Sequence, residues 1–140
     1  MASRPVTSSS DTAEPAPAAG RVLIVDDSNF ARSVLKEMLR GRGFEVVGEA
    51  TSAAEAVSVY KVLRPDIVTM DLNMPGLTGL DAILALRDLD SRCRVVLITA
   101  VREDPIVKGL AAMGIPIVLK PVKWDALEEA LQRGPGSRPL

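Results

Sequence analysis

Three short apolar runs constrain this chain more than anything else in it. Val22-Leu23-Ile24-Val25, Ile67-Val68-Thr69-Met70 and Val95-Val96-Leu97-Ile98 are each too short for a helix, and each breaks off at a polar residue: Asp26, Asp71 and Thr99. Runs without polar alternation are the pattern of strands buried on both faces, as in a parallel sheet covered by helices. The segments between them change to a helical period. From Ser28, residues Phe30, Val34, Leu35, Met38 and Leu39 are expected to share one helix face until Gly41 and Gly43 stop it. Phe44 to Ala50 reads as a further strand. Ser52-Ala53-Ala54-Glu55 has capping-box spacing and opens a helix that runs to about Leu63 before Pro65.

The pattern continues to the end. Pro75 and Gly76 force a turn after Asp71, and Thr78 can cap a helix whose buried stripe is Leu80, Ile83, Leu84 and Leu86. Asp104 and Pro105 make an N-cap and first turn for a helix that closes near Gly114, weakened by roughly 1 kcal/mol by Gly109. Ile115 to Leu119 is a fifth strand, which Pro116 confines to a sheet edge. Trp124 to Gln132 is the last helix, with Trp124 expected in helix packing. Five strands alternating with five helices predict an α/β fold: a flavodoxin-like, doubly wound parallel sheet of order 2-1-3-4-5. The globular domain is expected over 21–133, with a disordered tail at 1–20, rich in Pro, Ala and Ser, and a short tail at 134–140.

Charge and composition exclude several functions. With 17 basic and 18 acidic residues and a net charge of −1, the chain has no field to attract nucleic acid or an anionic membrane. No apolar stretch approaches a membrane span, and the N-terminus lacks a signal-peptide core, so a cytoplasmic protein is expected. Cys93 is the sole cysteine and is expected as a small buried side chain. The absence of histidine rules out Ser-His-Asp and Cys-His catalysis and histidine metal sites.

In the expected strand order, Asp26, Asp27, Asp71, Thr99 and Lys120 converge at one end of the sheet. Two carboxylates at about 4 Å repel by roughly 4 kcal/mol at an effective dielectric of 20, so three together call for a cation. A donor set of hard oxygens selects Mg²⁺ or Mn²⁺ over zinc.

At these positions the chain resembles the response-regulator receiver family, most closely its single-domain chemotaxis type. The matching residues are Asp26-Asp27, Asp71-Leu72-Asn73-Met74-Pro75 with Gly79 beyond, Thr99-Ala100, and Lys120-Pro121. The resemblance implies that Asp71 is the phosphoacceptor for a sensor histidine kinase or phosphotransfer protein. Asp27, Asp71 and the Asn73 carbonyl would hold the metal directly, with Asp26 acting mainly through water. Thr99 and Ala100 would meet the phosphoryl group, Thr99 as the switch. Lys120 would contact the phosphoryl oxygens, and the Lys120-Pro121 bond would be cis. Output would pass to a downstream protein through the face formed by the fourth helix, the fifth strand and the last helix, the chain being a monomer or a weak dimer through that face.

One position departs from the family pattern. Where most receivers carry Tyr or Phe three residues before the lysine, this chain has Ile117. Signalling through movement of the fourth helix and its entry loop is therefore expected instead. Two other readings remain: a receiver-like scaffold that acts without phosphorylation, and an aspartyl-phosphate hydrolase, which would want an acid where Asn73 stands. A nucleotide-binding fold is disfavoured, because Gly41-x-Gly43 precedes a strand and no Walker glycine run exists.

Overall fold

The computed structural model describes residues 20–72, 79–101 and 103–133. Its strands are β1 (Arg21–Val25), β2 (Glu45–Ala50), β3 (Ile67–Asp71), β4 (Arg94–Thr99) and β5 (Ile117–Leu119), separated by α1 (Asn29–Arg40), α2 (Ala53–Leu63), α3 (Gly79–Leu89), α4 (Pro105–Ala112) and α5 (Trp124–Arg133). All strand pairs are parallel, in the order β2-β1-β3-β4-β5. The doubly wound sheet expected from the sequence is therefore the observed one. Residues 1–19 and 134–140, assigned to tails above, lie outside the described residues, as do Asn73, Pro75, Gly76 and Thr78.

Alternate strand residues feed two cores. Leu23, Val25, Val68, Met70, Val95 and Leu97 pack against α2, α3 and α4. Val22, Ile24, Ile67, Val96, Ile98 and Val118 pack against Leu35 and Leu39 of α1 and Leu127, Ala130 and Leu131 of α5. Trp124 joins this second layer, edge-on to Phe44 with ring centroids 6.2 Å apart and Arg42 lying 4.8 Å over its ring.

Caps explain the helix limits. Ser52 Oγ accepts from the Glu55 N–H, and the Glu55 carboxylate reaches back to the Thr51 N–H and hydroxyl, one residue before the usual capping-box partner. Asp104 caps α4 by accepting from the Ile106 and Val107 N–H groups, and Pro105 occupies the first turn. At the end of α1, Gly43 has φ +88°, a conformation that side chains with a Cβ rarely adopt.

Three expectations needed correction. β5 starts at Ile117 instead of Ile115, because Pro116 has no N–H to donate; its carbonyl still accepts from Leu97 N. Phe30 and Val34 are 78% and 42% exposed, and Leu84 is 48% exposed. At 100° per residue, Arg32, Leu35 and Leu39 fall within roughly a 60° arc of α1, and Phe30 and Val34 lie roughly 170° and 130° from its centre. The face turned to the sheet therefore carries Arg32, an arginine buried to 9% exposure.

Tyr60, at 1% exposure, donates its hydroxyl to Asp90 Oδ2 at 3.0 Å. Burial first, then the neighbouring Cys93, pushes the phenol well above its ordinary value, and burial pushes the Cys93 thiol up as well. Folded-state values above unfolded ones give stability that is complete below the unfolded pKa values, about 8.5 for Cys and 10 for Tyr, and is lost as pH rises beyond them. Urea midpoints should therefore fall between about pH 9 and 11. Tyr60→Phe should cost about 1 kcal/mol at pH 7 through the lost hydrogen bond and should flatten part of that decline. Parallel pH profiles for the two proteins would contradict this.

Candidate functional site

The carboxyl ends of β1, β3, β4 and β5 open on one side of the sheet, where ligands of such folds bind. β1 and β3 are direct neighbours, with Val25 paired to Met70, so the residues that follow each are brought side by side. One carboxylate oxygen from each of Asp26, Asp27 and Asp71 lies within 4.8 Å of the others. Asp26 and Asp71 are each 6% exposed, and Asp27 faces solvent.

Asp26 is held on every polar atom. Its N–H donates to the Ala50 carbonyl at 3.0 Å, Oδ1 accepts from Ser28 N at 2.9 Å, Oδ2 accepts from Lys120 Nζ at 3.3 Å, and its carbonyl accepts from Arg32 Nη1 at 2.6 Å. Lys120 arrives from the end of β5, where its N–H donates to the Thr99 carbonyl, and its ammonium also lies 3.7 Å from Asp71 Oδ1. The Lys120–Pro121 bond is cis. Thr99 is fully buried at the end of β4, and its hydroxyl accepts from the Val101 N–H at 3.2 Å, while Ala100 beside it is exposed. Asn73 lies outside the described residues. Ile117 sits apart, half-buried at the start of β5, where with Val107, Ala111 and Leu119 it lines a shallow groove against α4.

The charges do not balance among these groups. One ammonium against three carboxylates leaves two negative charges in a space of a few ångströms, where each close pair costs roughly 3–4 kcal/mol at an effective dielectric of 20. Oxygen donors alone, at this spacing, fit a hard divalent cation such as Mg²⁺ or Mn²⁺.

Beside the acids, a cleft of about 290 Å³ is walled by Phe30 and Val34 of α1 and by Pro121 and Val122, with Asp26, Asp71 and Lys120 at one end. Two contributors escaped the sequence reading, Arg32 and its ion-pair partner Glu49 on β2 (Nε to Oε1, 2.9 Å). The helical period alone would have placed Arg32 on the inward face; nothing local marks Glu49.

Comparison with known proteins gives the class. The model of the response regulator receiver domain matches residues 22–132, and the chain belongs to that family. It is a CheY-like receiver domain of the two-component response regulators. It is 40% identical to the chemotaxis protein CheY of Thermotoga maritima over 114 residues, covering 81% of this chain and 95% of that one. Identity with CheY of Bacillus subtilis is 36% over 116 residues, 82% and 97% of the two chains. Among solved structures, the CheX-CheY-BeF3-Mg complex of Borrelia burgdorferi superposes with TM-score 0.75 at 30% identity, covering 80% of this chain and 86% of that one. Vibrio cholerae CheY4 gives 0.74 at 28% identity, covering 83% and 98%. No described helix is long and apolar enough to cross a membrane.

Proposed function

We propose that this chain is a phosphorylation-dependent signalling module, with a receiver domain over 21–133 flanked by tails, and that Asp71 accepts a phosphoryl group from a phosphohistidine on a sensor kinase or phosphotransfer protein. The observation that carries this reading is the meeting of Asp26, Asp27 and Asp71 at the strand ends, with Lys120 paired to Asp26 and Asp71. An Asp71 carboxylate oxygen attacks phosphorus, the P–N bond to the donor imidazole breaks, and that nitrogen recovers a proton. Asp27 and Asp71 with the Asn73 carbonyl, and Asp26 mainly through water, would hold Mg²⁺ or Mn²⁺, which would supply charge neutralisation for the incoming phosphoryl oxygens. Lys120 adds a point-charge contact to the same oxygens. A protein donor approaching Asp71 would lie against the cleft framed by Phe30, Val34, Pro121 and Val122. The BeF3 and Mg named with the Borrelia relative support the chemistry for that protein, and by similarity for this one.

Thr99 and Ala100 then meet the phosphoryl oxygens. The Thr99 hydroxyl, which here accepts from Val101 N–H, turns to donate and draws the loop before α4 with it. With Ile117 in place of an aromatic side chain, readout passes through α4 and its groove against β5, within the α4-β5-α5 face that contacts a cytoplasmic protein target or a weakly paired second copy. Binding of beryllofluoride with Mg²⁺ should shift the amide resonances of Glu103 to Gly114 more than those of α2. Unchanged resonances there would remove α4 from the mechanism.

Acetyl phosphate or phosphoramidate with Mg²⁺ should add one phosphoryl mass to the protein. A wild-type chain that takes up none would favour the scaffold reading, and multiple turnover of a small phosphate ester without a kinase would favour a hydrolase.

A further inference from the structure

We propose that Arg32, aimed by Glu49 from a bulge in the edge strand β2, is a positioning residue that fixes the Asp26–Asp27 turn in its cation-holding geometry. This inference rests on the reading of the acidic cluster as a cation and phosphoryl site.

Arg32 stands on the sheet-facing side of α1, nearly buried, and spends its whole guanidinium locally. Nη1 donates to the Asp26 carbonyl at 2.6 Å, Nε to Glu49 Oε1 at 2.9 Å, and Nη2 to Asn29 Oδ1. The Asp26 carbonyl belongs to the peptide that joins the two adjacent acids, so its orientation sets where both carboxylates point. A rigid fork with fixed donor directions suits this task, and a lysine cannot reach the same two acceptors at once.

The strand supplies the second half of the clamp. Val22 pairs with Val46 but Leu23 pairs with Gly48, so Val47 is an extra residue in β2. A regular strand would put residue 49 on the same side as Leu23, toward α2. The bulge reverses that, pairing Glu49 with Ile24 and turning its side chain to α1. Close packing supports the same register, since a Cβ on Gly48 would stand 2.6 Å from Leu63 Cδ1. The next residue, Ala50, accepts the Asp26 N–H. Consecutive residues of β2 thus grip Asp26 from both sides, one through its N–H and one, by way of Arg32, through its carbonyl. Lys36 also reaches Glu49, at 2.5 Å, and contacts nothing on Asp26 in this network.

The test is the dissociation constant for Mn²⁺ or Mg²⁺, measured by calorimetry on the full chain, with thermal unfolding as the check on folding. Removing a cation near a metal site should by charge alone tighten metal binding. Loss of positioning should weaken it, since groups that orient metal ligands typically change affinity 10–100-fold. Arg32→Ala is expected to raise the dissociation constant about tenfold, with phosphorylation by phosphoramidate recovering at saturating metal. Arg32→Lys should not rescue it, and Lys36→Ala should leave it within about twofold. If Arg32→Ala does not fold, Arg32→Met, which keeps the buried apolar stem and removes both the donors and the charge, carries the test with the same weakening. Folded variants that bind metal as tightly as wild type, or more tightly, overturn the proposal. Wild-type protein that binds no divalent ion overturns the reading on which it rests.

Discussion

Asp71→Asn should take up no phosphoryl group from acetyl phosphate in Mg²⁺, with incorporation below about one-hundredth of wild type by intact mass, because a carboxamide has no anionic oxygen to attack phosphorus. The same substitution should make the metal-free protein more stable. Asp71 is 6% exposed and lies within 4.8 Å of two other carboxylates, and the Lys120 ammonium lies 3.7 Å from its Oδ1. Removing one charge relieves repulsion of roughly 3–4 kcal/mol per close pair at an effective dielectric of 20 and forfeits part of the lysine attraction, leaving a gain of about 1–2 kcal/mol. Urea titrations in EDTA would measure it. Full phosphorylation of Asp71→Asn would move the acceptor elsewhere, and an apo-protein less stable than wild type would mean the carboxylates are not in mutual repulsion.

Lys120→Ala should act in the opposite direction on folding. Its ammonium contacts both Asp26, at 3.3 Å, and Asp71, at 3.7 Å. Deleting one partner of a buried pair costs 3–5 kcal/mol when the other is left uncompensated. The lysine side chain is 31% exposed, so water takes up part of the loss and about 2 kcal/mol is expected in EDTA. Mg²⁺ should restore most of it and should bind several-fold more tightly than to wild type, since the lysine no longer competes for the same oxygens. Phosphoryl uptake should nonetheless slow, for want of the point charge on the phosphoryl oxygens. Unchanged stability without metal, or weaker Mg²⁺ binding in a folded variant, would show that the lysine does not offset the acidic cluster.

The legible part of the fold lay in local signals with a fixed period. Val22–Val25 and Arg94–Thr99 read as strands covered on both faces, and Asp104-Pro105 reads as an N-cap and first turn, as observed. Less was readable where a pattern is shared between neighbours. Phe30 and Val34 look like part of the buried stripe of α1, yet the sheet covers the Arg32–Leu35–Leu39 arc, and an arginine on that arc is acceptable because Glu49 and the Asp26 carbonyl pair with it. Asp26, Asp27, Asp71 and Lys120 were legible as a set because each terminates or follows a strand, and a parallel sheet gathers such carboxyl ends on one side.

By itself the sequence determined the strand and helix order and the residue types that meet at the strand ends, because these follow from periodicity and chain direction. Only the tertiary structure decided how those residues are held. The Val47 bulge, the turn of Glu49 toward α1, the burial of Arg32 and the placing of Lys120 between Asp26 and Asp71 depend on pairings between segments far apart in the chain. Such geometry is fixed when the sheet and its helices close on one another, and no local pattern of residues encodes it.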